Sequence, residues 1–303
     1  MWRNKAFYIM MVLPIIWYII FCYTPMFGII IAFQKYSPSK GFLRSEWVGL
    51  THFKVLFTSH DFPMVMKNTV IISLLRLVWG FPAPIIFSLL INEVRAGRFK
   101  KITQSISYMP HFMSWVIMGG LIAAMFSKYG PINQLTAFLF GSDPVLYMQS
   151  KAHIRTLLVS TAIWKEVGWG TLIYLAAIAS VDMEQYEAAV IDGAGRFKQA
   201  LYVTLPAIVP TIIIIFILQI GGILNAGFEQ ILMIGGYGGG TATLNPMIRP
   251  LIEIIDTYVY KMGIVQGNYS FSSAAGLFKS VVGMCLVLFS NSIARKSGET
   301  SLL

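Results

Sequence analysis

The fold class predicted from the sequence is all-α: a polytopic membrane protein with six transmembrane helices. Three observations predict it. Of 303 residues, 56% are hydrophobic and only 12% charged, about half the charged share of a soluble globular domain. Six mainly apolar runs reach the roughly 20 residues needed to cross a bilayer's hydrocarbon core. The net charge of +10 sits mainly between those runs, as expected where Lys and Arg hold membrane loops on one side rather than bind nucleic acid.

The first run follows Met1-Trp2-Arg3-Asn4-Lys5, which resembles the charged start of a signal peptide, yet no charged residue interrupts it before Lys35. That exceeds the roughly 7–15 residues of a cleavable apolar core, so 7–33 is read as an uncleaved first span. Runs at 68–92, 104–127, 154–181, 206–234 and 271–293 supply the other five. The second contains Gly80-Phe81-Pro82-Ala83-Pro84 and the fourth Gly168-Trp169-Gly170. Proline removes a backbone donor, so these are read as breakers: either kinks that pack against neighbours or bends that move during transport. Cys22 and Cys285 lie inside apolar runs and point to neither a disulfide framework nor a metal site. The Gly-rich stretch 235–241 lacks the lysine and spacing of a phosphate-binding loop and reads as a flexible outer loop.

Short polar segments follow spans two and four, and longer ones follow spans one, three and five. Placing both termini inside assigns Arg3, Lys5, Arg95, Arg98, Lys100, Lys101, Arg196, Lys198, Arg295 and Lys296 to the cytoplasm. Lys35, Lys40, Arg44, Lys54, Lys67, Lys128, Lys151, Arg155, Arg249 and Lys261 then face outward in longer segments, giving the inner side roughly twice the density of positive charge.

Between the fourth and fifth runs lies a soluble-looking stretch, EAAVIDGAGRFKQALYVTLP, from Glu187 to Pro206. Asp182, Glu184 and Glu187 place negative charge near the start of a short helix, where exposed N–H groups favour it. Ala188 and Ala189 give that helix a bare face open to close approach, and Gly193 permits the positive φ of a turn. Arg196, Phe197, Lys198, Leu201 and Tyr202 read as a second short amphipathic helix, with Pro206 in the first turn of the next span.

Glu187-Ala188-Ala189, three residues, Gly193, nine residues, then Val203-Thr204-Leu205-Pro206 resembles the EAA signature of permease subunits of binding-protein-dependent ABC importers, with Val203 where the pattern usually has Ile. The likeness extends over nearly the whole chain. Trp47-Val48-Gly49-Leu50, Asn92-Glu93-Val94-Arg95, Ile255-Asp256-Thr257-Tyr258-Val259-Tyr260 and Tyr269-Ser270-Phe271 look like the subgroup associated with import of oligosaccharides and polysaccharide fragments. The resemblance implies a type I importer fold over 1–303 as a single transmembrane permease domain, with 182–205 as a cytoplasmic coupling loop. It implies a multi-pass protein of the bacterial cytoplasmic membrane, with a second, non-identical permease subunit and two cytoplasmic ATPase subunits as partners. An extracellular or periplasmic sugar-binding protein would deliver the substrate. Glu187, Ala188, Ala189, Asp192, Gly193, Ala194, Leu205 and Pro206 would be the ATPase-coupling residues. The chain itself would carry no cofactor, no metal and no catalytic residue, with ATP and Mg bound by the partner ATPases.

Charges inside hydrocarbon cost at least about 2.5–3.5 kcal/mol, so those retained face protein or water. Arg76, Lys165, Glu166, Gln219 and Lys279 come to roughly 12–20 Å from their span ends at 1.5 Å per residue, which places them near one middle-to-outer layer. They are read either as an ion-pair network of Glu166 with Lys165, Arg76 or Lys279, or as a polar sugar cavity with Trp164 and Trp169 stacking on pyranose faces. Asn225, Glu229 and Gln230 fall near the outer end of span five, as gate-lining or merely solvated groups. If all face the pathway, three cations against Glu166 favour an acidic, uronate-bearing oligosaccharide. The alternative is an ion-coupled secondary sugar transporter using Glu166 and Glu229; a third class is a non-transporting membrane sensor or assembly subunit.

In a cysteine-free background, single cysteines at Ser39, Ser142 and Asn245 are expected to react with an impermeant thiol reagent added to intact cells, and one at Gln199 only after the membrane is opened. External labelling at Gln199 would reverse the orientation.

Overall fold

A computed structural model describes residues 5–94, 97–236 and 244–296. Arg3, Arg95 and the Gly-rich stretch from Tyr237 onward lie outside these residues. The chain divides into two compact units, one of Met1–Phe62 with Tyr258–Val281 and the other of Pro63–Thr257 with Val282–Leu303.

In the first unit, Tyr8–Phe33 runs as one long apolar helix of 26 residues. It passes through a π turn at Ile19–Tyr23, just before Pro25, and tightens to a 3-10 helix over Phe27–Phe33. A wider turn next to proline is expected, because Pro supplies no N–H to the ladder. The chain then enters a two-stranded antiparallel ribbon pairing Gln34 with Trp47 and Lys35 with Glu46. Phe33 stacks on Trp47 with ring centroids 5.7 Å apart. Tyr36 N–H donates to Ser270 Oγ at 2.9 Å, tying the ribbon to the start of the Tyr269–Lys296 helix. Phe57, Phe62 and Phe278 close an edge-to-face cluster beneath it.

The second unit is organised on the helix Ile154–Ala179, which packs against Pro82–Glu93, Arg98–Phe112 and Leu205–Gly221. Two glycines permit this closeness. A Cβ at Gly168 would overlap the backbone of Ser107, and one at Gly170 would stand 2.9 Å from Pro84 Cγ. Small residues let helix backbones approach in lipid, where packing rather than hydrophobicity drives association. Beyond Asn245, a second seam of polar bonds ties this unit together. Arg155 donates to Leu251 O at 3.0 Å and Asn68 Oδ1 at 2.8 Å, while Asn68 Nδ2 donates to Pro250 O at 3.0 Å.

Several expected spans take a different form. Among the described residues, Tyr8–Phe33, Phe62–Glu93, Arg196–Gly221 and Tyr269–Lys296 are long and apolar enough to cross a membrane. The expected third span is a bent pair, Arg98–Phe112 and Trp115–Met125, turned by 107°. Pro110 lies in the last turn of the first half, which ends at Phe112, and Ser114 caps the second, its Oγ accepting from Ile117 N–H at 3.3 Å. Ile154–Ala179 spans 26 residues without interruption at Gly168-Trp169-Gly170, so those glycines serve packing rather than a kink. Lys165 and Glu166 keep it outside the most apolar group. The expected fifth span, 206–234, stops at Gly221; after a turn, Phe228–Gly235 forms a separate short helix. At its N-terminal end this span starts earlier than expected. Arg196 to Gly221 is one continuous helix, and the proposed second amphipathic helix is its first turns. A π turn at Ala200–Thr204 lies just before Pro206, where the ladder loses a donor.

Candidate functional site

A cavity of about 450 Å³ opens in the second unit. Its walls include Arg76, Glu166, Trp169, Gln219 and Asn225, with Gly222 and Gly170 between them. Five of the residues singled out from the sequence thus share one space. On Ile154–Ala179 the lining positions are Ala162, Ile163, Glu166, Val167, Trp169 and Gly170, a stripe with the helical i, i+4, i+7 spacing. Trp164 and Lys165 fall off that stripe, which explains why neither reaches the cavity.

Lys165 has a different occupation. Its side chain is 6% exposed, and Nζ donates to His111 O at 2.6 Å and to Pro110 O at 3.2 Å. These are carbonyls of the last turn before the 107° bend; Pro110 O also accepts from Met113 N–H at 3.2 Å, so the break leaves chiefly His111 O in need of a donor. The ammonium also lies 5.6 Å from the Trp115 ring centroid, across the bend. Lys165 therefore seals the broken helix, with Glu166 Oε1 3.7 Å away as its counter-charge.

The seal positions His111. Its Nδ1 meets Glu166 Oε2 at 2.7 Å, and its ring stacks on Trp169 with centroids 4.5 Å apart and planes 1° from parallel. An ionised carboxylate only accepts, so His111 Nδ1 carries the proton. Phe112 meets Trp169 edge-on at 5.5 Å. One face of Trp169 is thereby taken, while the residue remains 42% exposed and lines the cavity.

Arg76 is held from the opposite wall. Its guanidinium donates to Gln230 Oε1, and it packs directly against Gly227 in place of any side chain. Arg76 forms no ion pair among the described residues, and its Nε is buried without a hydrogen-bond partner. Of the expected three cations and one carboxylate, only Arg76 and Glu166 line the cavity. Lys279 is half-buried on the part of Tyr269–Lys296 that belongs to the other unit. Glu229 is exposed in the first turn of Phe228–Gly235, whereas Gln230 is fully buried beside it. His111 and Thr161 were not singled out from the sequence. The one local signal was a His directly after a Pro within an apolar run.

The segment 182–205 holds the expected short helix and glycine turn, while its expected second helix is the start of Arg196–Gly221. Asp182 caps Met183–Ile191, its Oδ1 accepting from Glu184 N–H at 3.0 Å. The helix ends with Gly193 at φ +73, where Ala194 N–H reaches Ala189 O at 2.8 Å and Gly193 N–H reaches Val190 O at 3.0 Å. That pair of bonds is a Schellman motif. Tyr186 Oη then bonds Thr204 Oγ1 at 2.9 Å, fastening the short helix to the long one. Ile191, Phe197 and Tyr202 are 86%, 81% and 72% exposed. These apolar side chains stand exposed at the end of the short helix and along the first turns of the long one.

Residues 6–298 match the family model described as binding-protein-dependent transport system inner membrane component. The chain belongs to this family. Among its relatives is protein LplB of Bacillus subtilis (strain 168), 46% identical over 99% of this chain and 92% of that protein. The polygalacturonan/rhamnogalacturonan transport system permease protein YteP of the same organism is 44% identical over 99% of this chain and 91% of that protein. A bacterial alginate ABC transporter, solved in complex with an alginate pentasaccharide-bound periplasmic protein, has a chain that superposes with a TM-score of 0.87 at 36% identity, covering 99% of this chain and 97% of that one. This chain is thus a multi-pass permease subunit of an ABC importer with the type I permease fold, and a self-sufficient secondary transporter is not favoured.

Replacing Lys165 with Met keeps the volume but removes the ammonium from both carbonyls; Pro110 O keeps Met113 N–H, so the loss falls on His111 O, at about 1–3 kcal/mol for a group left unpaired. Lys165→Met is expected to lower the melting temperature of the purified complex and to reduce uptake of acidic and neutral sugars alike. A loss confined to acidic sugar would instead place the ammonium on the substrate.

Proposed function

We propose that this permease subunit imports a uronate-bearing oligosaccharide, and that Arg76 receives a substrate carboxylate in the cavity. Arg76 carries the proposal: a guanidinium on the cavity wall that, among the described residues, has no ion-pair partner and a buried Nε without a hydrogen-bond partner. Such a group gains most from a planar anion that accepts two of its fixed donors, and a carboxylate has that geometry. The charge excess expected from sequence does not support this, since Lys165 is spent on the helix break. Support comes from Arg76 itself and from relatives whose names specify polygalacturonan/rhamnogalacturonan and alginate. Trp169, partly exposed on the cavity wall, offers a stacking surface for a ring beside that carboxylate. About 450 Å³ lies within the roughly 300–1,000 Å³ of small-molecule sites, enough for a short part of a chain at a time.

The subunit works with a second, non-identical permease and two cytoplasmic ATPases that bind ATP and Mg. A binding protein outside the membrane supplies the sugar. Support for a binding-protein partner is the family description and the periplasmic protein in the related complex. Both termini are assigned to the cytoplasm by the positive-charge density. On that side, Glu187, Ala188, Ala189, Asp192, Gly193, Ala194, Leu205 and Pro206 form the docking segment for an ATPase, with Ile191 and Phe197 as its exposed apolar tips.

In a reconstituted complex, Arg76→Gln is expected to cut uptake of a uronate trisaccharide at least about tenfold, the worth of one charge-assisted bond, with less effect on its carboxyl-reduced counterpart. Equal loss for both sugars would remove Arg76 from carboxylate recognition. Gly193→Val tests the docking segment. A Cβ there meets nothing within 4 Å, but φ is +73, a region where a β-branched residue is a steric outlier. Membrane insertion is expected to survive while ATP hydrolysis stimulated by loaded binding protein falls severalfold; undiminished stimulation would remove the segment from coupling.

A further inference from the structure

We infer that Gln230 is the positioning residue for Arg76 and sets the preference of the cavity for anionic over neutral sugar; this rests on the carboxylate role proposed for Arg76. Gln230 is 0% exposed and opens the short helix Phe228–Gly235. Its Nε2 donates to Leu158 O at 2.7 Å and to Thr161 Oγ1 at 2.8 Å. Thr161 gives its own proton to Leu157 O at 2.6 Å, so its lone pairs are free to accept. With both amide protons claimed by acceptors of the Ile154–Ala179 helix, the amide has one permitted orientation, which turns Oε1 toward the guanidinium of Arg76.

Gln230 Oε1 is the one side-chain acceptor that Arg76 has among the described residues, and Gly227 sits behind the guanidinium. Gly227 has φ +86, and any Cβ there would overlap the guanidinium atoms. Arg76 is thus anchored at one nitrogen and backed by bare backbone, which fixes the plane of the fork. A neutral amide in this place holds the cation without cancelling it. A carboxylate at position 230 would neutralise Arg76, and an apolar residue would leave the fork unoriented.

The test measures binding directly on the purified permease–ATPase complex by calorimetry, so that delivery by the binding protein does not filter the sugars. The ratio of affinities for a uronate trisaccharide and its carboxyl-reduced counterpart is compared in wild type, Arg76→Gln, Gln230→Leu and the double variant. The expected result is a fall of about tenfold in the ratio for each single variant, the worth of about 1.4 kcal/mol, and no further fall in the double variant. Gln230→Glu is expected to lower the ratio as well, by pairing with Arg76. Thr161→Val, which removes one anchor of the amide at nearly constant shape, should lower it by a few-fold and serves where Gln230→Leu does not assemble. A ratio unchanged in both Gln230→Leu and Thr161→Val while Arg76→Gln collapses it would overturn the positioning role and leave the carboxylate role standing. A ratio unchanged in Arg76→Gln would overturn the carboxylate role and this inference together. Additive falls in the double variant would show Gln230 acting on the sugar by itself, which also overturns it.

Discussion

A helix broken within an apolar run exposes a carbonyl end that needs donors, and the second unit is arranged around the way that need is met. Lys165 crosses from the neighbouring helix and places its ammonium on the carbonyls of Pro110 and His111. A buried charge needs several partners to be tolerated. Lys165 has two carbonyls, the Trp115 ring and the carboxylate of Glu166. Because the bend is held there, His111 reaches Glu166 and lies flat on Trp169. One wall of the cavity is therefore a consequence of how a helix break is satisfied.

The opposite wall follows from a second break. Leu205–Gly221 ends, the chain turns through Gly227 at φ +86, and Gln230 enters the next helix fully buried. The turn lets a guanidinium press against backbone, and the amide beside it sets that guanidinium's direction. Both walls use the same physical device: irregular backbone is tolerated at membrane depth where it is buried in protein or lines a cavity.

The same long helix joins this cavity to the coupling segment. Gln219 lines the cavity near one end of Arg196–Gly221, and the other end emerges from the Gly193 turn. At 1.5 Å per residue its 26 residues extend roughly 39 Å. Tyr186 bonded to Thr204 binds the short helix Met183–Ile191 to this rod, so the short helix and the cavity are joined by one continuous helix rather than by a loop.

Much of this was legible before the fold was known. The apolar runs marked the long helices, the Asp182 cap and Gly193 turn were readable from residue types, and the charges in the runs pointed to one polar region. Local chemistry decides such features. The break at Phe112–Ser114 was not legible, because an apolar run has the same composition whether it crosses straight or turns by 107°. Nor was the role of the glycines at 168 and 170, since a kink and a close contact ask for the same residue.

Sequence alone determined that this chain is a membrane permease with a glycine turn between its fourth and fifth apolar runs, because hydrophobic length, charge placement and the EAA spacing are properties of the chain in order. Only tertiary structure decided which polar groups face the cavity. Residues at one depth share a layer but not a side of the helix, and a single step of about 100° turned Lys165 onto a helix end and Glu166 toward the cavity. Arg76 became a cavity cation through Gly227 and Gln230, which stand more than 150 residues away in the chain, a separation across which sequence carries no geometric signal.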